Sequence, residues 1–109
     1  MINKRRRGVL AEWGAMLYLL SKGYVPKKWR YKTPYAEIDW LCAKGNLLVV
    51  VEVKFRARWD HAPAIGFTQQ QRLRRACDWA VRQFRYPAGR VDGVVLSFIR
   101  RPMHYRGLW

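Results

Sequence analysis

Hydrophobic positions fall at helical spacing from Val9 to Lys22. At about 100° per residue, Val9, Trp13, Met16, Leu17, Leu19 and Leu20 share one broad face. Gly23 follows as a C-terminal glycine. Glu12 lies inside the apolar arc, between the directions of Met16 and Leu19. An acid there either reaches water from the edge of the arc or points inward, where it needs a cation or a hydrogen-bonding partner.

The period then changes to two. Lys28 to Lys32 reads as a strand with Trp29 and Tyr31 on one side and three cations on the other. Glu37 to Ala43 and Leu47 to Phe55 are two further strands, and Gly45-Asn46 between them is a two-residue hairpin turn. Ala57 to Gly66, with Pro63 and Gly66, is a loop. Thr68 offers an N-cap, with Gln71 completing the capping-box pattern. The helix beyond carries Leu73, Ala76, Cys77, Ala80 and Phe84 on one face, with Arg72, Arg75 and Arg82 elsewhere. Pro87 and Gly89 end it, and Val91 to Ile99 is a last strand. The order α-β-β-β-α-β, without repeats or a long linker, predicts a single mixed α/β domain over residues 1–109. Its basic tail spans 1–7, and the C-terminal tail 100–109 has no clear period.

Composition sharpens the picture. A chain of 109 residues, half of them hydrophobic, can bury a core of its own. The net charge of +15 points to a polyanionic partner, nucleic acid first. Charge alone leaves open a ribosome-associated or merely basic soluble protein. No apolar run reaches the ~18 residues of a membrane span. The stretch after Lys4-Arg5-Arg6-Arg7 is not expected to be a signal peptide, because Glu12 interrupts it and no small-residue cleavage site follows. A cytoplasmic location is expected. Cys42 and Cys77 are far apart in apolar stretches and read as buried free thiols, and with His61 and His104 they lack zinc-ligand spacing.

The seven acids are Glu12, Glu37, Asp39, Glu52, Asp60, Asp78 and Asp92. If Gly45-Asn46 is the turn, Lys44 pairs with Leu47, Asp39 falls opposite Glu52, and Glu37 falls opposite Lys54. All four then share one face, while Val49, Val51, Val53 and Phe55 form the core face. A one-residue slip would send the Asp39 carboxylate to the other side. Facing carboxylates with Cβ atoms about 4.5–5.5 Å apart repel each other. A divalent cation turns that repulsion into ligation, since Mg²⁺ takes one or two carboxylates plus water and phosphate oxygens. Lys54 could stabilise charge developing on a phosphate. A salt-bridge cluster neutralised by Lys54 and nearby Arg side chains is the plainer alternative.

Asp39, twelve intervening residues and then Glu52-Val53-Lys54 resemble the D…(D/E)-x-K signature of PD-(D/E)xK nucleases. Gly8, Glu12, Gly23-Tyr24, Glu37-Ile38-Asp39, the V-E-V-K-F-R of 51–56 and Arg90-Val91-Asp92 resemble more narrowly the YraN-type bacterial family. The resemblance implies a restriction-endonuclease-like fold related to Holliday-junction resolvases. It implies Asp39, Glu52 and the Val53 carbonyl as ligands of Mg²⁺ or Mn²⁺, Lys54 as the catalytic lysine, and Glu12 reaching the site from the first helix. Glu37 is similar to the acid that precedes the metal-binding Asp. The chain has Ala36 where the family usually has Gly, and Gln69 where it often has Lys.

The leading reading is therefore a divalent-metal-dependent DNA endonuclease. Arg56, Arg58, Gln69, Gln70, Arg72 and Arg75 are the candidate contacts to the nucleic-acid backbone. Trp29, Tyr31 and Trp59 are candidates either for packing or for stacking on unpaired bases. A non-catalytic nucleic-acid-binding module and an RNA-processing factor are the alternatives, and a second copy of the chain is a candidate partner.

Overall fold

The run L-L-V-V-V-E-V-K-F of residues 47–55 makes the central strand, because it is rich in β-branched residues and apolar on both faces. The computed structural model describes residues 4–56, 66–97 and 101–107. The elements are α1 (Lys4–Ser21), β1 (Val25–Lys32), β2 (Glu37–Lys44), β3 (Leu47–Phe55), α2 (Phe67–Phe84), β4 (Ala88–Leu96) and β5 (Met103–Tyr105). The strands form one sheet in the order β1-β2-β3-β4-β5. β1, β2 and β3 are antiparallel neighbours. β4 returns parallel to β3 after the α2 crossover, and β5 adds antiparallel to β4. This is the expected α-β-β-β-α-β order with a short edge strand added.

One helix covers each face. Ala15, Met16 and Leu19 of α1 pack on Trp40, Cys42, Val49, Val51 and Val94. Leu73, Ala76, Cys77 and Ala80 of α2 pack on Ile38, Leu41, Leu48, Val50 and Val91. Leu48 and Val50 are thus as buried as Val49 and Val51, whereas Val53 and Phe55 are half-buried. The single core face expected for β3 is corrected to two, as a parallel neighbour and a crossover helix require.

The hairpin has the expected register. Lys44 pairs with Leu47 and Trp40 with Val51. Gly45 sits at φ +59, the backbone that a Gly-first two-residue turn needs.

Several sequence expectations are corrected. α1 starts at Lys4, ahead of Val9, and its buried stripe is Ala11, Ala15, Met16 and Leu19. Leu10, Trp13, Leu17 and Leu20 are exposed. Small residues let the helix lie close to the sheet, and a Cβ on Gly14 would meet Leu96 Cδ1 at 3.3 Å. Trp29 and Tyr31 point to opposite sides: Trp29 packs with Trp13 and Trp40, Tyr31 with Trp79 and Phe84. Arg30 between them has φ +49, which breaks the alternation. Gly66, with no side-chain cap bond, is the N-cap of α2, so Thr68 lies inside the first turn. Arg85 at φ +56 closes that helix, not Pro87 and Gly89. Gly89 instead lies in β4, where a Cβ would sit 2.5 Å from Val81 Cγ2 and 2.7 Å from Cys77 Sγ. The tail contributes β5. Arg58, Trp59, Asp60, His61 and most of the expected loop, 57–65, lie outside the described residues, as do 1–3, 98–100 and 108–109.

Candidate active site

The β2–β3 pairing runs as far as Trp40 and Val51. At the next position the Asp39 side chain, not the ladder, meets β3: its Oδ2 accepts the backbone N–H of Val53 at 2.8 Å. Asp39 and Glu52 lie side by side and share a hydrogen bond. Lys54 Nζ stands 3.5 Å from Glu52 Oε1. The turn chemistry at Gly45-Asn46 thus fixes, several residues away, which carboxylates meet.

Burial dominates the electrostatics of the pair. It raises the Asp39 carboxyl above its ordinary value, against the hydrogen bond from Val53. Burial, then the Asp39 charge, pushes Glu52 up to about 8, with Lys54 opposing. Together the two carboxyls hold a proton to higher pH than either would alone. Paired carboxyls with one proton are the expected outcome when like charges are held together in a dry setting.

Glu12 points inward from α1. Its Oε1 accepts Trp29 Nε1–H at 2.9 Å and Arg30 Nε–H at 2.8 Å, and its backbone carbonyl accepts Trp40 Nε1–H at 2.7 Å. The partner that the apolar arc demanded is Arg30. Arg30 and Asp39 lie between the cross-strand pairs Trp29–Trp40 and Tyr31–Ile38, so Glu12 is tied to the strand segment that carries Asp39.

Glu37 is exposed and lies on the wall of a cleft of about 510 Å³, whose other lining residues include Tyr35, Thr68, Gln69 and Arg72. Farther along α2, Arg75 and Arg82 line a second hollow with Tyr35 and Asp78. Gln69, Arg72 and Arg75 are thus brought onto one side of the molecule, with Glu37 beside the first two. Gln70 donates its backbone N–H to Gly66 at 2.9 Å. Arg56 ends β3 with its backbone N–H on Leu96. Both cysteines are inert thiols, raised by burial to about 12 for Cys42 and about 11 for Cys77.

A second polar cluster went unread as such in the sequence. Asp92 is fully buried and accepts from Arg90, from the backbone N–H of Gly107 and, at 2.7 Å, from His104 Nε2. Arg90 also donates to the Tyr24 hydroxyl, and Lys22 Nζ stands 2.6 Å from His104 Nδ1. An ammonium at Nδ1 leaves the ring proton on Nε2, facing Asp92. The cluster fastens β5 and the tail to β4. Arg90-Val91-Asp92 was its sequence signal, but His104 gave none.

The five-stranded mixed sheet with a helix on each face is a restriction-endonuclease-like fold. The fold is similar to that of Hjc, a Holliday junction resolvase from Archaeoglobus fulgidus, with a TM-score of 0.60 over 87% of this chain and 72% of that one. At 13% identity the likeness is one of fold. The model of the uncharacterised protein family UPF0102 matches residues 11–96. A UPF0102 protein of Agrobacterium fabrum is 44% identical over 94% of this chain and 91% of its own length. One from Caulobacter vibrioides is 38% identical over 96% and 87%. The chain belongs to UPF0102, the YraN-type family.

Proposed function

We propose that this protein is a divalent-metal-dependent endonuclease that hydrolyses phosphodiester bonds in DNA. The observation that carries the reading is the Asp39–Glu52 pair: a half-buried and a buried carboxyl side by side where the β2–β3 ladder ends, with the Lys54 ammonium 3.5 Å from Glu52. A structural ion pair has no need of a second acid in that position. In a chain with 22 Lys and Arg against seven acids, a salt-bridge cluster would place cations on both carboxylates.

The donor set fits Mg²⁺ or Mn²⁺. Both ions favour hard oxygen ligands and need only one or two protein carboxylates. Among the described residues no group of three or more His, Cys, Asp or Glu gathers. Two carboxylates would leave the rest of the ion's shell to water and substrate phosphate, as Mg²⁺ sites do. Asp39 and Glu52 would hold the ion, with the Val53 carbonyl as a third oxygen. A bound ion would polarise the phosphoryl group and acidify an attacking water.

The chain's own groups do the rest. The Val53 N–H holds one oxygen of Asp39 and so orients the carboxylate. Glu52 must give up its proton before it ligates. Lys54 would stabilise negative charge on the scissile phosphate. Gln69, Arg72 and Arg75 would bind the flanking backbone, with Arg56 and Arg58 contributing from the end of β3 and beyond. The resolvase activity of the A. fulgidus protein supports DNA as the substrate.

The test is a panel of labelled duplex, single-stranded, flap and four-way DNA and RNA in Mg²⁺, Mn²⁺ or EDTA. Metal-dependent cleavage of DNA is expected from the wild type and not from Asp39→Ala, Glu52→Ala or Lys54→Ala. Undiminished cleavage by a rigorously purified Glu52→Ala protein overturns the site. Tight binding without products in any metal favours the non-catalytic reading.

A further inference from the structure

Two tryptophans next to this site are left half in water. Trp13 of α1 is 46% exposed and Trp29 of β1 is 40% exposed, although Trp40 beneath them is buried. The Trp13 and Trp29 rings lie 5.3 Å apart, and each also packs against Trp40. Leaving two of the largest apolar side chains half solvated forgoes burial energy that a small domain can ill spare.

The pair is also held rigidly. The Trp29 indole N–H is fixed on Glu12, and the Arg30 guanidinium sits 5.1 Å from the Trp29 ring while its Nε bonds the same carboxylate oxygen. Arg30 occupies a left-handed backbone position, at φ +49, which is unfavourable for a residue with a side chain. That kink is what sends Trp29 to the α1 side, away from Tyr31. A strained residue is thus used to hold a half-exposed indole beside a cation.

The location matters as much as the chemistry. Arg30 and Asp39 occupy the same gap between the pairs Trp29–Trp40 and Tyr31–Ile38, and Arg30 is close enough to feel the Asp39 charge. Exposed Lys27 and Lys28 precede it on β1. Aromatic faces flanked by cations bind single-stranded nucleic acid, because every base has a π-face and the cations meet the backbone.

We infer that Trp13 and Trp29, with Arg30, form a stacking platform that takes an unpaired base adjoining the phosphodiester at the Asp39–Glu52 site. The protein then selects DNA with unpaired nucleotides, such as a flap or a gap, over continuous duplex. Glu12 is a positioning residue here: it orients the platform through Trp29 and Arg30. This inference rests on the nuclease reading for its purpose, but the binding it describes stands without cleavage.

The experiment measures binding by anisotropy in EDTA, where no chemistry proceeds. Duplex, flapped and gapped DNA of equal length are compared for the wild type, Trp13→Leu and Trp29→Leu. Leucine keeps the patch apolar and removes the π-face, and thermal melts establish that each variant is folded. The wild type should prefer the flap or gap by about tenfold or more, the factor that roughly 1.4 kcal/mol of stacking gives. Each variant should lose most of that preference while keeping its duplex affinity. An abasic sugar at the stacked nucleotide should cost the wild type a similar factor and cost the variants almost nothing.

Equal affinity for duplex and unpaired DNA overturns the inference, as does a preference that survives both substitutions. Sedimentation of the same proteins gives the remaining outcome. If the wild type is a dimer that either substitution dissociates, the exposed stripe of Leu10, Trp13, Leu17 and Leu20 is a self-association surface, and the platform is rejected. Absence of cleavage by the wild type in Mg²⁺ with its binding preference intact would reject the nuclease reading alone.

Discussion

The carboxylate of Asp39 accepts the backbone N–H of Val53, so a side chain of β2 bonds the main chain of β3 where the regular pairing of the two strands has ended. That bond holds Asp39 against Glu52, although the two would repel if both were ionised. On the proposed reading the arrangement costs the metal-free protein stability that a bound cation would restore. The first two predictions follow from it.

Asp39→Asn keeps a side-chain oxygen for the Val53 N–H and removes one charge. The variant should melt at or above the wild type in EDTA. Mn²⁺ at a hundred times its Kd adds about 2.7 kcal/mol to a protein that binds it only when folded. For a domain of this size each kcal/mol is worth roughly 4–8 °C, so the wild-type midpoint should rise by roughly 11–22 °C. The variant should lose most of that rise. Melts at matched ionic strength decide it, and a wild type indifferent to Mn²⁺ counts against the site.

Glu52 carries the sign of the pH dependence. Its carboxyl is raised from 4.5 to about 8 in the folded chain, so the folded state holds a proton that the unfolded chain releases. This group's contribution is fully present below about pH 4.5 and is lost as pH rises through about 8. Denaturation midpoints of the metal-free wild type should fall across that window, and Glu52→Gln should flatten the profile. Metal binding at pH 7 should release a proton, read as a buffer-dependent calorimetric enthalpy. An enthalpy independent of buffer would contradict the shared proton.

Asp92 behaves in the opposite sense. Burial alone would raise its carboxyl, but the hydrogen bonds from His104, Arg90 and the Gly107 N–H outweigh it and hold the group below its ordinary value. Its stabilisation is present above the unfolded value of 3.8 and is lost as pH falls through the lower folded one. Asp92→Asn should cost about 3 kcal/mol, near the lower end for breaking a buried pair because Arg90 keeps some contact with water. β5 and the residues after it should lose protection first in amide exchange.

Gly89→Ala should destabilise without touching the site. The new methyl would overlap Val81 and Cys77, and α2 cannot retreat without opening the face built on Leu73, Ala76 and Ala80. Overpacking of this kind costs about 1–3 kcal/mol. Binding to DNA by the folded fraction should be unchanged.

Arg72 and Arg75 are exposed on α2 beside the cleft that Glu37 helps to line. If each neutralises one phosphate, replacing both should flatten the slope of log K against log salt by about 1.8 on duplex or about 1.4 on single strands. An unchanged slope means that this side of α2 does not meet the nucleic acid.

Local chemistry settled a good deal of this protein from sequence. A Gly-Asn turn between two runs of strand-forming residues has one favoured geometry, so it fixed the β2–β3 register and with it the meeting of Asp39 and Glu52. The apolar spacing of α2 gave its buried face, since an isolated amphipathic stripe has only one way to meet a sheet. Tertiary structure decided the rest. The sheet-facing side of α1 is lined by alanines, and close approach to the sheet outweighed the larger hydrophobicity of Trp13 and Leu17. The left-handed backbone at Arg30, which parts Trp29 from Tyr31, is unfavourable by itself and persists through the Glu12 ion pair and the indole packing around it. β5 is three residues long, too short to show a period, and it exists because Asp92 holds the chain around it to the edge of β4. Each of these depends on residues far apart in sequence, and no local pattern encodes it.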